Sequence, residues 1–518
     1  MTSPGRTNAP PGRGAPDRAN APDGAGASNL PARAEPPAHP ASARRLLSAA
    51  VPAPTGPRRL LPRTAASRVR WLSALAVLIL LALLGVTAGT IAQAREGMRV
   101  IGHDAGPQVV ATGDLYSQLT DMDAQLANAL LAGDSEPAVR AEALELYDMN
   151  RLRAGEALFE AARLADDPTE EDTARALLDA LARYERLAGQ ALQLERRTQH
   201  QAGPPPQEVL DLYRDATDLM KLNLLPKAYN LTLDNGALVR GTYEDQRSAV
   251  RTGLVWVIAV GVLLVAALVA LQVFLAVRFR RLLNVGVALA TVGTLALITA
   301  SGLMLWGQAE SLRKAKEDGF DSMLALSRTR AISNNAAADQ TRYLLDPGRT
   351  DTYEQVYLSK SQTVLYVEAG NLAEYNAAVQ KAGYVPGRTD FLGFLGTEGN
   401  RLVEDPATQS RIGGIFDTAL QEYQRFQQRD HEMRRLVESG DRAQAVARRG
   451  ELTAQFRQYD QALQELEEIR QTVFDEAVQD GDDGTSGWYG VLPIAGAAIV
   501  VLLLIGVWPR LSEYRWSK

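Results

Sequence analysis

The 518-residue sequence contains no cysteine and only four histidines. The lack of cysteine excludes a disulfide framework, a cysteine-ligated zinc or iron–sulfur site, and a lipid anchor on cysteine. Walker, HExxH and GxSxG motifs are also missing, as is a GxGxxG that follows a strand. We therefore expect a protein that is not an enzyme, holds no metal or cofactor and binds no nucleic acid. The histidines are scattered over different segments: His39, His103, His200 and His431.

Two acidic clusters could suggest cation sites, but each has a simpler interpretation. "DDPTEED" at 166–172 places acids at a predicted helix N-terminus, where the helix dipole favours them. "DGDDG" at 480–484 lacks the spacing of an EF-hand and is interpreted as part of a Gly/Asp linker.

Charged residues are missing from four long stretches at 71–93, 253–277, 282–306 and 488–508. A helix needs about 20 apolar residues to cross a bilayer core. Tryptophans lie at or near the ends of these stretches, as expected at membrane–water interfaces. The sequence therefore predicts four membrane helices. The tryptophans are Trp71, Trp256, Trp306, Trp488 and Trp508.

The charges outside these stretches alternate in sign. Residues 1–70 carry a net charge of +8, 278–281 carry +3 and 509–518 carry +2. Residues 94–252 carry −10 and 308–487 carry −9. Because basic residues favour the cytoplasmic side, we predict a multi-pass plasma-membrane protein with both termini in the cytoplasm. The two acidic segments then lie outside, and 509–518 is a short cytoplasmic tail.

The first 66 residues hold 13 of the 25 prolines and show no apolar periodicity. Such a segment cannot bury enough surface to offset its ordering entropy, so we predict a disordered cytoplasmic tail. "RRLL" occurs there at 44–47 and 58–61. Attraction to anionic lipid is the favoured interpretation, and a docking motif for a cytoplasmic partner is the alternative.

Residues 94–252 have helical periodicity nearly throughout. Gly133 is expected to end one helix, with Pro137 beginning the next. Pro226 is expected to kink the last helix. The pattern predicts a four-helix bundle whose first and last helices continue into the membrane. An apolar stripe is expected on its second helix, at Leu144, Tyr147, Leu152 and Phe159.

Residues 308–487 resemble a second copy of this arrangement. Its second helix is expected over 350–383, followed by a Gly-rich connector at 384–402. "QDGDDGTSG" at 479–487 is expected to link to the last membrane helix. The predicted fold class is thus an all-α membrane protein with four transmembrane helices and two tandem extracytoplasmic four-helix-bundle sensor domains.

Arg278, Arg280 and Arg281 form the only polar break between the second and third membrane helices. We interpret 278–281 as a cytoplasmic turn that fixes the topology. A sharper hypothesis is that this turn couples the two halves of the chain. Because the membrane stretches contain no ionisable residue, a transporter is disfavoured. Their few polar side chains are expected to hydrogen-bond between helices: Gln272, Asn284, Thr291, Thr294 and Thr299.

The stretches "NLLPKAYNLTLDNGALVRGTYEDQR" and "ATQSRIGGIFDTALQEYQRFQ" are each in register with the neighbouring membrane helix. In this tandem arrangement, over about residues 68–510, the chain resembles the actinobacterial GlnX family of membrane proteins. Its bundles are also similar to those of chemoreceptors and sensor kinases. The GlnX resemblance implies a relay of aspartate or glutamate availability from a solute-binding lipoprotein, GlnH, to a cytoplasmic Ser/Thr kinase, PknG. It transfers no individual site residue.

Two other hypotheses stay open at this point. A chemoreceptor-like bundle could bind a small ligand directly, and a membrane scaffold could organise envelope machinery. Homodimers are usual for such bundles, so a homodimer is a possible assembly. The ligand-binding or partner-binding residues cannot be read from the sequence.

Overall fold

The computed structural model describes residues 65–164, 168–279, 283–382, 392–404 and 406–512. The predicted tail at 1–66 falls almost wholly outside these ranges, as do Arg280, Arg281 and part of the 384–402 connector. Contacts define Pro62–Lys518 as one compact unit. Within the described ranges the chain is helical, and its only β pairing is an isolated bridge between Tyr366 and Leu392.

Fifteen α-helices are seen in the described residues, with three π-helical segments and one 3-10 turn at Pro347–Arg349. The π-helical segments are π1 (Val100–Ala105), π2 (Met220–Leu224) and π3 (Lys314–Phe320). The α-helices are α1 (Ala65–Arg99), α2 (Gly106–Ala132), α3 (Pro137–Leu164), α4 (Pro168–Thr198), α5 (Gln207–Leu219), α6 (Leu225–Phe279), α7 (Val285–Arg313), α8 (Asp321–Leu345), α9 (Thr350–Val364), α10 (Leu372–Val379), α11 (Gly393–Glu404), α12 (Pro406–Glu438), α13 (Arg442–Ala447), α14 (Arg449–Ser486) and α15 (Trp488–Ser512).

Four of the long helical runs in these ranges are long and apolar enough to cross a membrane, as predicted. They are Ser67–Ala132, Gln207–Arg278, Val285–Leu345 and Arg449–Pro509. Each run joins an apolar part to a polar part. In the apolar part, α1 packs on α6, α6 on α7, α7 on α15 and α15 on α1. The four apolar helices therefore form a closed ring around one core, and many outward-facing side chains such as Leu78 and Trp306 are exposed.

Small residues set the closest approach in this ring. A Cβ atom on Gly286 would lie 2.6 Å from the Cα of Gly506, so α7 and α15 are nearly in backbone contact there. Asn284 reinforces the pair, because its Nδ2 donates to the Gly506 carbonyl at 2.7 Å. By contrast, a Cβ on Gly85 or Gly89 would meet nothing within 4 Å. Gly286 therefore brings two helices into close contact, whereas Gly85 and Gly89 do not.

The expectation that membrane-embedded polar side chains bond between helices holds for Asn284 but not for two threonines. Thr291 and Thr294 donate to the carbonyls of Val287 and Ala290, four residues back in their own helix. Serine and threonine hydroxyl groups in helices commonly donate a hydrogen bond to the carbonyl four residues earlier.

Helix boundaries in the first polar segment follow the sequence signals closely. Helix α2 ends at Ala132, Gly133 has a φ of +57°, and α3 begins at Pro137, as predicted. Pro226 does not interrupt its helix. The π2 segment ends just before this proline, and α6 continues through it. The apolar stripe predicted on α3 is confirmed only in part. Tyr147 is buried, whereas Leu152 and Phe159 are 59% and 70% exposed.

Three predictions for the second polar segment are wrong. The helix expected over 350–383 is split into α9 and α10, and Asn371 caps α10. The Gly-rich connector forms α11 in its second half, because Leu395 and Glu398 become fully buried. The "QDGDDGTSG" linker is also helical, since α14 runs to Ser486.

The helical course of that linker has a clear tertiary cause. Gly481 packs so closely on Met98 that an added Cβ would lie 2.3 Å from the methionine methyl group. Its carbonyl accepts a hydrogen bond from Gln308 Nε2 at 2.7 Å. Contacts with α1 and α7 thus outweigh the low helix propensity of glycine, about 1 kcal/mol per residue.

Candidate functional site: a buried charge cluster

The two polar segments meet along α2 and α8, which pack against each other. Each of these helices is the continuation of an apolar helix, α1 and α7 respectively. The apolar core at this junction includes residues of both segments, for example Leu126 and Tyr184 from the first and Leu344 and Tyr353 from the second. Charged side chains are enclosed within this apolar surround.

Arg342 of α8 lies at the centre of the enclosed charges and is 0% exposed. Its Nη2 contacts Asp123 Oδ2 of α2 at 2.5 Å, and its Nη1 contacts Asp339 Oδ1 at 2.5 Å. Its Nε donates to the Tyr213 hydroxyl of α5 at 3.2 Å. Both carboxylates are also 0% exposed. One guanidinium therefore joins the first polar segment to the second without access to water.

Asp123 recruits further elements of the first segment. The Tyr184 hydroxyl of α4 donates to its Oδ1 at 3.0 Å, and the Thr217 hydroxyl of α5 donates to its Oδ2 at 2.7 Å. A buried carboxylate is tolerated only when its lone pairs are satisfied in this way. Asp123 thus ties α2, α4 and α5 to α8.

Asp339 is surrounded by cations. Lys221 of π2 contacts its Oδ1 at 3.0 Å, and Lys360 of α9 contacts its Oδ2. Lys360 Nζ also donates to Asn335 Oδ1 at 2.7 Å. With Arg342, the buried charge cluster (Asp123, Lys221, Asp339, Arg342 and Lys360) contains three basic groups and two acidic ones.

Burial and neighbouring charges shift the protonation of this cluster. Desolvation opposes the charge on Asp339, but Lys360, Lys221 and Arg342 together hold its pKa below the ordinary value. Desolvation lowers the pKa of Lys360 to about 7, although Asp339 opposes that shift. Desolvation and Arg342 also lower the pKa of Lys221. The cluster can therefore change its charge near neutral pH, mainly at Lys360.

Lys360 gives the stability of the protein a defined pH dependence. Its pKa is about 7 when folded and 10.5 by its ordinary value, so the unfolded chain binds more protons between these limits. The free energy of unfolding should accordingly rise above pH 7, by about 1 kcal/mol per pH unit. Thermal unfolding of the full chain in nanodiscs from pH 7 to 9, followed by circular dichroism, should show this rise in the wild type and lose it in Lys360→Met.

An opposite slope from another residue serves as the internal control. Desolvation and Asp460 raise the pKa of Asp121 to about 7 from 3.8, against Arg330 and Arg153. The folded state then binds more protons between those values, so Asp121 should lower stability as pH rises from about 4 to 7. Asp121→Asn should flatten the acid side only. Equal slopes above pH 7 in the wild type and in Lys360→Met would contradict the assignment to Lys360.

Further ion pairs join the two segments around the cluster. Arg214 of α5 forms a bidentate pair with buried Asp346, at 2.7 and 2.9 Å. Arg349 contacts Asp218 at 3.0 Å, and Arg449 of α14 pairs with Glu136. Asp346 and Arg349 lie just after the C-terminal end of α8, and their partners Arg214 and Asp218 lie in α5. These pairs therefore hold α5 of the first segment against the end of α8 in the second.

The cluster connects three of the four membrane-competent helical runs. Asp123 lies in Ser67–Ala132, Lys221 in Gln207–Arg278, and Asp339 with Arg342 in Val285–Leu345. A rearrangement of the cluster would therefore act on three helices that continue directly into the apolar ring.

A second junction lies nearer the apolar ring, where π1 and π3 both pack on α14. A Cβ on Gly102 would lie 2.6 Å from Val478, and one on Gly319 would lie 2.7 Å from the Cβ of Phe474. The rings of Phe320 and Phe474 are 6.5 Å apart. Segments of π-helix inside α-helices are frequent at functional sites. Here they occur at matching places, after α1 and after α7.

The sequence-predicted residues lie away from the cluster. Arg278 is exposed near the end of α6, and α7 begins at Val285 with Asn284 as its N-cap. Arg280 and Arg281 lie outside the described residues. A sequence signal for the cluster existed nonetheless: Asp123 is four residues after Leu119 and three before Leu126, so it falls within an apolar stripe.

No group of three or more His, Asp or Glu side chains that could hold a metal ion is present in the part of the chain that the structure describes.

The first polar segment is similar to a known family of sensor domains. Residues 97–244 match the family model described as an actinobacterial sensor domain. No curated protein and no solved structure matches the chain. The matched region begins just before π1, includes Asp123 and Lys221, and ends within α6. The match supports a sensor protein of actinobacteria and a signal-sensing role.

Proposed function

We propose that this chain is a non-enzymatic transmembrane signal transducer. It relays the availability of extracellular aspartate or glutamate from a GlnH-like solute-binding lipoprotein to a PknG-like cytoplasmic Ser/Thr kinase. In this proposal the two polar segments lie outside, both termini lie in the cytoplasm, and the 278–281 turn is cytoplasmic. The kinase is a separate protein.

The observation that carries the proposal is the buried charge cluster and its helices. A binding event that favours one arrangement of Asp123, Asp339 and Arg342 would act on three membrane-competent runs at once. Helix shifts of about 1–2 Å are sufficient in other switching proteins. Such a shift requires that the partner binds one arrangement better than the other. It requires neither catalysis nor a charge in the membrane.

The external step can be tested with the full chain in nanodiscs. We expect it to capture a GlnH-like lipoprotein from the same organism, with a yield that changes when aspartate or glutamate is added. Empty nanodiscs are the control. If the lipoprotein is not captured with or without either amino acid, the proposed external partner is wrong.

The cytoplasmic turn supplies a test of coupling between the halves. Inserting a flexible Gly/Ser segment of about 15 residues after Arg281 should preserve membrane insertion but weaken signalling, because a flexible linker does not transmit a displacement. A helix-forming (EAAAK) segment of equal length is the matched control. The readout is phosphorylation of a kinase substrate in cells after addition of glutamate. Full signalling with the flexible insertion would limit the turn to a topological role.

Direct binding of a small ligand is the second candidate function. The observation in its favour is a polar cavity between the two segments, lined by α2, α8 and α14.

A further inference from the structure

A small cavity of about 70 Å³ lies between α2, α8 and α14. That volume holds a few water molecules, and so has room only for a small ligand. Hydrogen-bonding groups from both polar segments line it, among them Gln125 and Asn128 of α2 and Asn334 and Thr341 of α8. Ala337, Ala338 and Leu344 contribute apolar surface to its lining. A few polar groups over an apolar lining are typical of ligand sites.

Arg449 is the residue that points to the chemistry of a ligand. It is 8% exposed and lines the cavity. Its Nη2 is paired with Glu136, but its Nη1 is buried and has no hydrogen-bond partner among the described residues. A buried guanidinium N–H without an acceptor is costly, by about 1–3 kcal/mol. A carboxylate is the acceptor whose geometry suits a guanidinium best.

The helix directions place the other polar groups relative to Arg449. Helices α2 and α8 run toward the end of the molecule where α14 begins, so Asn128 and Thr341 lie at the same end as Arg449 and are joined to each other by a 3.0 Å hydrogen bond. Asp121 lies seven residues before Asn128, or about 10 Å along the helix. The cavity therefore has a basic end with hydrogen-bonding neighbours and an acidic far end.

We propose that this cavity binds a small polar molecule that carries a carboxylate, with the carboxylate on Nη1 of Arg449. The other groups of the ligand hydrogen-bond to the amides and hydroxyl of α2 and α8. Because the three lining helices continue into α1, α7 and α15, the ligand would bridge the two polar segments directly. This site belongs to the chain itself and does not depend on the solute-binding partner of the proposed function.

Binding can be measured on the purified full chain in nanodiscs without any partner. The probes are L-glutamate, L-aspartate, succinate and, as a cation without a carboxylate, putrescine. Isothermal titration should show saturable binding of at least one carboxylate probe and none of putrescine. Arg449→Gln should weaken that binding about tenfold or more, the loss expected for one charge-assisted hydrogen bond. Arg457→Gln on the same helix should leave it unchanged, because that side chain is 62% exposed and does not line the cavity.

A second variant covers the case in which Arg449→Gln does not fold. Thr453 is exposed and lines the cavity, so Thr453→Trp should obstruct it without disturbing the core and should also abolish binding. Unfolding curves establish that each variant is folded. The proposal is overturned if no carboxylate probe binds at millimolar concentration, or if a probe binds equally to wild type and to a folded Arg449→Gln or Thr453→Trp variant. If the full chain binds a carboxylate probe but does not capture the lipoprotein, only the proposed function is overturned.

Discussion

Replacing Arg342 by methionine is expected to destabilise the protein by about 3–5 kcal/mol, the cost of removing one partner from a buried ion pair. Asp123 would keep the hydroxyl groups of Tyr184 and Thr217 but lose its only contacting cation among the described residues. Asp339 would keep Lys221 and Lys360. The loss should therefore fall mainly on the contact between the two polar segments, and it can be measured by denaturant unfolding of the full chain in nanodiscs.

Two comparisons make this measurement specific. Arg175→Met removes an arginine whose acidic neighbours, Glu171 and Asp172, are exposed, and it should change stability by less than about 1 kcal/mol. Asp123→Asn combined with Arg342→Met should cost clearly less than the sum of the single changes, because the two residues are in direct contact. Additive losses, or a loss below about 1 kcal/mol for Arg342→Met, would show that the cluster does not hold the segments together.

The second large effect is expected from Gly286→Ala in the apolar ring. The new methyl group would lie 2.6 Å from the Gly506 Cα and 2.7 Å from both the Gly506 nitrogen and the Leu502 carbonyl oxygen. Backbone atoms cannot rotate away as side chains can, so α7 and α15 must separate. Overpacking of this kind costs about 1–3 kcal/mol or more. The Asn284–Gly506 hydrogen bond would be lost as well.

Gly85→Ala and Gly89→Ala, both in the neighbouring apolar helix α1, are the matched controls. Neither added methyl group would meet an atom within 4 Å, and alanine is the better helix former by about 1 kcal/mol. Thermal unfolding should therefore place both controls at or above the wild type and Gly286→Ala well below it. If Gly286→Ala were as stable as the controls, the close contact between α7 and α15 would be disproved.

The apolar helices could be predicted because their signal is local. Each stretch lacks charge over a length that only a bilayer or a protein core accommodates. The end of α2 and the start of α3 were also predictable, since Gly133 and Pro137 act through their own backbones. Errors arose where distant contacts decide the structure. Gly481 is helical because Met98 and Gln308 pack on it, and neither contact is visible in the local sequence.

The candidate site was missed for the same reason. Asp123 and Arg342 are 219 positions apart and belong to different polar segments, so a reading of each segment by itself treats them as solvated charges. Asp123 within the Leu119–Leu126 stripe was the one local hint. Its partner could not be identified without knowing that α2 packs on α8 rather than only within its own segment.

The relay is tested most directly in cells of the source organism. Phosphorylation of a PknG-like kinase substrate would be followed after addition of aspartate or glutamate, in the wild type, in a strain lacking this chain, and in that strain carrying either the wild-type chain or the Asp123→Asn variant. We expect the response to disappear in the deletion strain, to return with the wild-type chain and to remain weak with Asp123→Asn at equal protein level. A deletion strain that responds as the wild type does would contradict the proposed role.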